Sequence, residues 1–377
     1  MSNVWKKLRS ADWRAALRGV YEYNIARRFR TLPPRGLVLD VTYRCNSRCV
    51  MCSIWNAELK PELSLEQFEQ VLADPLFHSI ERLMISGGEP SLRSDLPQLV
   101  QTCMSHMPAL RTLSLITNGL LPERVLSSYG EIARLCAERG IRLSVSVSLD
   151  GLEETHDRMR NVPGAFAKAS ETLAGLRGLQ AEPLGGFYLG LGSVICHLNL
   201  GQLDAFRAWC REQGLPPGFQ VVGFHDTYVN NLEQQQALDF GEDDRPALYA
   251  VLQELAADRS LTNWMAGYWA DMLHMYRDGR ARSSPCPFQV DALVLDAYGN
   301  LRLCETADNI GNCLTDGSCS ELYYGRKAAA MRKAMPRGAC RTCNSGCMVN
   351  VGYRRQPWKH LRAILFGAGT AQGEGAR

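Results

Sequence analysis

Six short apolar runs alternate with amphipathic stretches between residues 36 and 224, and this rhythm constrains the fold more than any other feature. The runs are 36–43 (GLVLDVTY), 80–86 (IERLMIS), 111–117 (RTLSLIT), 141–149 (IRLSVSVSL), 187–196 (FYLGLGSVIC) and 219–224 (FQVVGF). Between them, 65–72, 96–104, 122–139, 166–179 and 203–213 carry apolar residues at helical spacing, the first behind Ser64 as a helix cap. Apolar, β-branched runs separated by helices predict parallel βαβ units and an α/β fold. In barrels of such units the chemistry sits at the C-terminal ends of the strands. The residues just after each run are therefore the first to read.

Directly after the first run comes Cys45-Asn46-Ser47-Arg48-Cys49-Val50-Met51-Cys52. Three thiolates leave a cubane iron–sulfur cluster with one iron open to a substrate or cosubstrate. A structural zinc knot is the alternative, but such sites usually take four ligands, and no fourth Cys or His lies near this run. After the second run stands Ser86-Gly87-Gly88-Glu89-Pro90. Its glycines let backbone approach a ligand closely, and the Glu89 carboxylate suits an ammonium group. Thr117-Asn118-Gly119 follows the third run. Ser148-Leu149-Asp150-Gly151 follows the fourth, with His156, Asp157 and Arg160 beyond. An arginine fork can grip a carboxylate bidentately. Asn199 comes shortly after the fifth run, and His225, Asp226 and Tyr228 after the sixth.

Cys-x3-Cys-x2-Cys past a strand, followed in order by Gly-Gly-Glu-Pro and Ser-Leu-Asp-Gly…His-Asp…Arg, resembles the signature of the radical S-adenosylmethionine (SAM) enzymes. The resemblance covers roughly residues 36–350 and implies a partial (β/α)6 TIM-like barrel. It implies that Cys45, Cys49 and Cys52 bind a catalytic [4Fe–4S] cluster whose open iron chelates the methionine moiety of SAM. It implies that the segment Ser86, Gly87, Gly88, Glu89, Pro90 holds the SAM amino group. Thr117 and Asn118 match the family's polar turn, Ser148 or Asp150 would face the ribose, and Asn199 a position near the nucleoside. Arg160 would pair with the SAM carboxylate, a loop salt bridge being the alternative; His156 is expected to order its turn. Met51 departs mildly from members with an aromatic residue beside the adenine, and a methionine is tolerable there.

Seven of the fourteen cysteines lie between 286 and 347. Cys286-x12-Gly299-x4-Cys304 brackets a hairpin turning at Tyr298-Gly299-Asn300, and Cys340-x2-Cys343-x3-Cys347 follows. This resembles the SPASM and twitch auxiliary-cluster domains. The resemblance implies a small C-terminal β-hairpin and helix domain with a second, auxiliary [4Fe–4S] cluster on Cys286, Cys304, Cys340 and Cys343, with Cys347 as a competing ligand. A zinc ribbon is the alternative. Cys313 and Cys319 read as buried thiols, ligands of a further cluster, or a hydrogen-atom donor. Cys103, Cys136 and Cys210 fall in predicted helices and read as core.

A net charge of +3 gives no reason to expect nucleic acid as partner. No apolar stretch is long enough to span a bilayer, and no secretory signal opens the chain. Fourteen cysteines in that setting point to metal ligation in a reducing cytoplasm and not to disulfides. Residues 4–35 hold nine Lys or Arg against Asp12 and Glu22 at helical apolar spacing. Such a segment packs under a barrel, lies on an anionic membrane surface, or meets an acidic partner. The expected divisions are a basic extension (1–35), the barrel core (36–230), a helical connector (231–280), the auxiliary-cluster domain (281–350), and a C-terminal helix with a disordered tail (351–377).

The function these features imply is reductive cleavage of SAM and abstraction of hydrogen from an unactivated carbon, with oxidation, epimerisation or crosslinking as the outcome. A flavodoxin- or ferredoxin-type reductant is the implied partner. Only 35 residues precede the first strand, fewer than a leader-binding segment needs. The expected substrate is a small or carrier-linked metabolite such as a sugar or aminocyclitol, with a ribosomal peptide as the alternative. His225, Asp226, Tyr228, Trp264, Tyr268 and Trp269 either line the substrate side or pack. An iron–sulfur electron carrier would not need a SAM pocket, and a methyltransferase finds no evident cobalamin domain.

Overall fold

The computed structural model describes residues 13–182, 186–215, 217–258, 260 and 263–366. The start of the basic extension and the tail expected to be disordered lie outside the described residues. The chain divides into two compact units, one of residues 33–248 and 291–334, the other of residues up to 32, 249–290 and from 335 on.

The larger unit carries one nine-stranded sheet in the order β6-β5-β4-β3-β2-β1-β7-β8-β9. Its first six strands are β1 (Gly36–Asp40), β2 (Arg82–Ser86), β3 (Thr112–Thr117), β4 (Arg142–Ser148), β5 (Tyr188–Ile195) and β6 (Pro217–Val221). Each pairs in parallel with the next, as the βαβ rhythm requires. Between them run helices α1 (Leu65–Leu72), α2 (Leu96–His106), α3 (Pro122–Glu138), α4 (Glu153–Arg160), α5 (Ala165–Ala181) and α6 (Leu203–Glu212). Ser64 caps α1 in a reciprocal capping box with Gln67. The buried faces of these elements carry Leu37, Leu39, Phe68, Leu99, Ile85, Leu115, Val145 and Phe206, all essentially inaccessible to solvent. Cys103, Cys136 and Cys210 are buried on α2, α3 and α6, as expected.

Two features depart from the sequence reading. Helix α4 was not expected, because its sequence EETHDRMR has almost no apolar periodicity; its buried residues are Met159 and three polar ones, Thr155, His156 and Arg160. The hairpin β7 (Ala292–Leu295) and β8 (Asn300–Arg302) continues the barrel sheet, β7 pairing in parallel with β1, and a further strand β9 (Asn309–Asn312) extends it.

One expectation is overturned. Cys313 and Cys319 form a disulfide, where the cysteine count argued against any. Cys313 follows β9 and Cys319 opens the short helix Cys319–Tyr324. That turn brings their Cα atoms to 5.3 Å, within the reach of a disulfide. As paired sulfurs they are neither cluster ligands nor hydrogen-atom donors.

The smaller unit is helical. Trp13–Asn24 packs on Val349–Arg355, with Asn24 Nδ2 donating to Arg355 O at 2.8 Å and Gln356 Nε2 donating to Asn24 Oδ1 at 2.8 Å. Tyr23, Ala26, Leu32 and Val290 form an apolar cluster there. Tyr268 and Trp269 are buried within this unit, and Tyr268 donates to Asn344 O at 2.5 Å.

Candidate active site

The loop after β1 carries Cys45, Cys49 and Cys52, all as free cysteines. Three polar side chains lie against its sulfurs. Arg160 Nη1 lies 3.4 Å from Cys49 Sγ, and Asn118 Nδ2 lies 3.9 Å from Cys45 Sγ. Ser47 Oγ is 3.1 Å from Cys49 Sγ. Burial pushes the Cys45 thiol up to about 11 and the Cys52 thiol to about 12. Neither is a thiolate near neutral pH unless a metal replaces its proton. Among the described residues no three Cys, His, Asp or Glu side chains converge tightly enough for a single metal ion. A four-iron cluster spreads its thiolates wider than one ion does, and three free cysteines on one loop with donors facing two of them fit such a cluster.

The segment after β2 runs alongside this loop, as Gly88 N donates to Thr42 O at 2.7 Å and Glu89 N to Arg44 O at 2.9 Å. Gly87 has φ +118°, and a Cβ on Gly88 would collide with the carbonyl group of Arg44. The glycines are needed for this approach. Glu89 is 1% exposed. Its Oε1 accepts from Ser91 N (3.2 Å), Ser91 Oγ (2.7 Å) and Thr117 Oγ1 (2.9 Å), its Oε2 from Asn118 N (2.7 Å). Burial raises its carboxyl above the usual range, and these four donors pull it back. No cation of the described residues faces it, and Oε2 keeps a lone pair free.

Thr117 and Asn118 thus serve Glu89 directly, and Asn118 ties it to the cysteine loop through Asn46 Oδ1 at 2.8 Å. Arg160 is ion-paired to buried Asp150, Nη2 to Oδ2, at 2.8 Å. Burial opposes the Arg160 charge, but Asp150 and the sulfurs of Cys49 and Cys45 outweigh it. Asp150 also accepts from Val194 N at 2.8 Å, so its carboxylate binds the ends of β4 and β5 together. Asn199 is spent likewise on Asp150 O (2.7 Å), Val194 O (2.8 Å) and Cys196 N (2.9 Å). Ser148 closes β4 half-buried opposite Gly192. Ser86 Oγ is 3.0 Å from Tyr228 Oη, and Tyr228 donates to Gly87 O at 3.0 Å. Pro90 opens a single helical turn behind Glu89.

A second polar group at the β1 end was missed in the sequence. Asp40 is fully buried, 3.2 Å from Arg302 Nη2, with its other oxygen unpartnered. Arg302 also donates to Tyr43 Oη at 3.0 Å, and Tyr43 to Asp296 Oδ2 at 3.3 Å. Half-buried Glu305 has no side-chain hydrogen bond among the described residues, while its carbonyl receives Thr227 Oγ1 at 3.1 Å. Burial raises both Asp40 and Glu305; Glu305 and Asp296 raise Asp40 further, while Arg302 lowers both. Three carboxyls against one guanidinium leave this end of the barrel acidic. The available signal was a charged residue ending an otherwise apolar strand.

In the smaller unit, Cys286, Cys340 and Cys343 are free and half-buried around Arg282. Arg282 Nη1 lies 3.3 Å from Cys343 Sγ and donates to Ser345 O at 2.8 Å. Its Nε and Nη2 are buried without partners. Burial pushes the Cys286 thiol up to about 11, against the pull of Arg282. A buried guanidinium facing three thiols is costly, and it is compensated once those sulfurs carry the negative charge of a metal–thiolate centre. These are three of the four cysteines that the auxiliary-cluster resemblance assigns, and their chemistry suits such a centre. Cys347 N donates to Ser345 Oγ at 3.3 Å. Cys304 belongs to the larger unit, just past β8, its Sγ 3.6 Å from Thr306 Oγ1.

A family model described as the Radical SAM superfamily matches residues 39–193. Fe-coproporphyrin III synthase of Methanosarcina barkeri is 31% identical over 220 residues, covering 58% of this chain and 50% of that protein. Mycofactocin maturase MftC of Mycolicibacterium smegmatis is 25% identical over 342 residues, covering 84% of this chain and 78% of its own. Apart from that maturase, the chain spans about half the length of these curated relatives. SuiB of Streptococcus suis, solved with S-adenosylmethionine, superposes with a TM-score of 0.57 at 15% identity, covering 93% of this chain and 80% of that one. The fold is shared.

Proposed function

We propose that this chain, whose residues 39–193 match the radical SAM family model, cleaves SAM reductively and uses the resulting radical to take a hydrogen atom from a substrate carbon. The observation that carries this is Glu89, a buried carboxylate lacking a cation and tied through Asn118 to the cysteine loop. Cys45, Cys49 and Cys52 would hold the cluster, which supplies the electron when bound. Glu89 would accept the SAM ammonium group on Oε2. Gly87 and Gly88 leave room for the ligand by keeping their backbone against residues 42–44. Arg160 holds Cys49 and Asp150 in place, a positioning role that leaves less of its fork for the SAM carboxylate.

We infer net oxidation as the outcome. Removing a hydrogen atom and then an electron leaves a proton to be accepted, and half-buried Glu305, with no side-chain hydrogen bond among the described residues, is the carboxyl able to take it. An auxiliary cluster on Cys286, Cys340 and Cys343 would receive the electron. As substrate class we favour a peptide, since a relative that matches along most of the chain is a maturase. The sugar or aminocyclitol expected earlier finds no support among these relatives. A tetrapyrrole is the second reading, favoured by the 31% identity to the coproporphyrin enzyme.

The test is anaerobic reconstitution with dithionite and SAM. Formation of 5′-deoxyadenosine and methionine, abolished in C45A, is expected; none from a fully iron-loaded protein would refute the reading. About eight irons per chain, falling to about four in a C45A/C49A/C52A variant, are expected for two cubanes. About four falling to none would remove the auxiliary cluster.

A further inference from the structure

The segment Trp13–Arg30 of the smaller unit has two faces. One is packed: Tyr23 and Ala26 join the cluster with Leu32 and Val290. The other carries Leu17, Tyr21, Ile25 and Phe29, which are 60%, 54%, 50% and 83% exposed. Leu17 and Tyr21 lie on the helix Trp13–Asn24, Ile25 follows it with its N donating to Tyr21 O, and Phe29 closes the 3-10 turn Ala26–Arg28. At 100° per residue Leu17, Tyr21 and Ile25 form one stripe, and Phe29 stands exposed at its C-terminal end. Single exposed apolar side chains are ordinary; four on one short segment are not.

The charges around the stripe have one sign. From Ala16 to Arg30 the charged residues are Arg18, Glu22, Arg27, Arg28 and Arg30. Glu22 is buried and ion-paired with Arg18 at 2.9 Å. Arg27, Arg28 and Arg30 are exposed. A second copy of the chain meeting this face across a two-fold axis would bring arginines against arginines. An apolar stripe flanked by exposed cations is complementary to a surface that is apolar below and anionic above.

We propose that Leu17, Tyr21, Ile25 and Phe29, flanked by Arg27, Arg28 and Arg30, form a docking face for an anionic lipid surface. The apolar side chains enter the boundary between headgroups and acyl chains, and the guanidinium groups stay with the phosphates. Tyr21 suits the boundary, having an apolar ring and a polar end. The interaction is peripheral; no helix among the described residues is long and apolar enough to cross a membrane.

The experiment is co-sedimentation of the full chain with vesicles of phosphatidylcholine alone, or of phosphatidylcholine with an equal part of phosphatidylglycerol. Binding to the anionic vesicles at least about tenfold stronger than to the neutral ones, and weakened by salt, is expected. I25S/F29S should lower partitioning about tenfold with an unchanged far-ultraviolet spectrum, because both side chains are exposed. R27Q/R28Q/R30Q should remove the preference for anionic vesicles. Failure to bind either vesicle, or partitioning unchanged in I25S/F29S, overturns the proposal. A dimer in sedimentation equilibrium that I25S/F29S abolishes also overturns it, assigning the face to a second copy.

Discussion

Replacing Glu89 by Gln changes one charge and almost no volume. Two effects follow from the contacts around it. The carboxylate accepts four hydrogen bonds from Ser91, Thr117 and Asn118. A Gln amide must turn its NH2 toward one of these donors, so at least one bond is lost in a fully buried place. The larger effect falls on SAM. A charge-assisted hydrogen bond from its ammonium to Oε2 is worth about 1.5–3 kcal/mol, or about 10- to 150-fold in Kd. Equilibrium dialysis of labelled SAM against anaerobically reconstituted wild type and E89Q measures this, with iron content as the control on the cluster. A Kd within about twofold of wild type at equal iron would refute the assignment of Glu89 to the ammonium group. A loss of iron in E89Q would instead show that Glu89 acts through Asn118 on the cysteine loop.

In R282M the second cluster's midpoint potential should fall by tens of millivolts. The guanidinium beside Cys343 Sγ favours the more negative reduced state; an unchanged potential in an electron paramagnetic resonance titration would exclude that role. G88A should lose SAM binding or cluster loading, since its Cβ meets the Arg44 carbonyl group; normal 5′-deoxyadenosine formation would show that the two backbones are free to separate. Buried His156 accepts from Asp150 N at 3.1 Å, and burial, with Arg160 beside it, lowers its pKa to about 3. Its neutral ring costs nothing above about 6.5, where the unfolded chain is also neutral, and stability falls as pH drops from there toward 3, by about 1.4 kcal/mol per pH unit. H156N should flatten the acid side of a urea-unfolding profile by that slope, and an identical profile would refute it.

The sequence by itself determined the parallel core and the order of its motifs. Strands buried by apolar side chains and helices with one apolar face leave a periodic record in the chain, so β1 to β6 could be read from spacing. The cysteine loop and the Gly-Gly-Glu-Pro segment were legible for the same reason: their chemistry is carried by neighbours in the chain. Tertiary structure decided what depends on distant residues. It turned α4, which has no apolar stripe, inward through His156 and Arg160. It made Asp150 and Asn199 join the ends of β4 and β5. It joined the C-terminal hairpin to β1, which brought Arg302 from 262 residues away onto Asp40. It also closed Cys313 onto Cys319. Burial of a polar group is settled by which partner arrives from elsewhere, and local spacing holds no record of that partner.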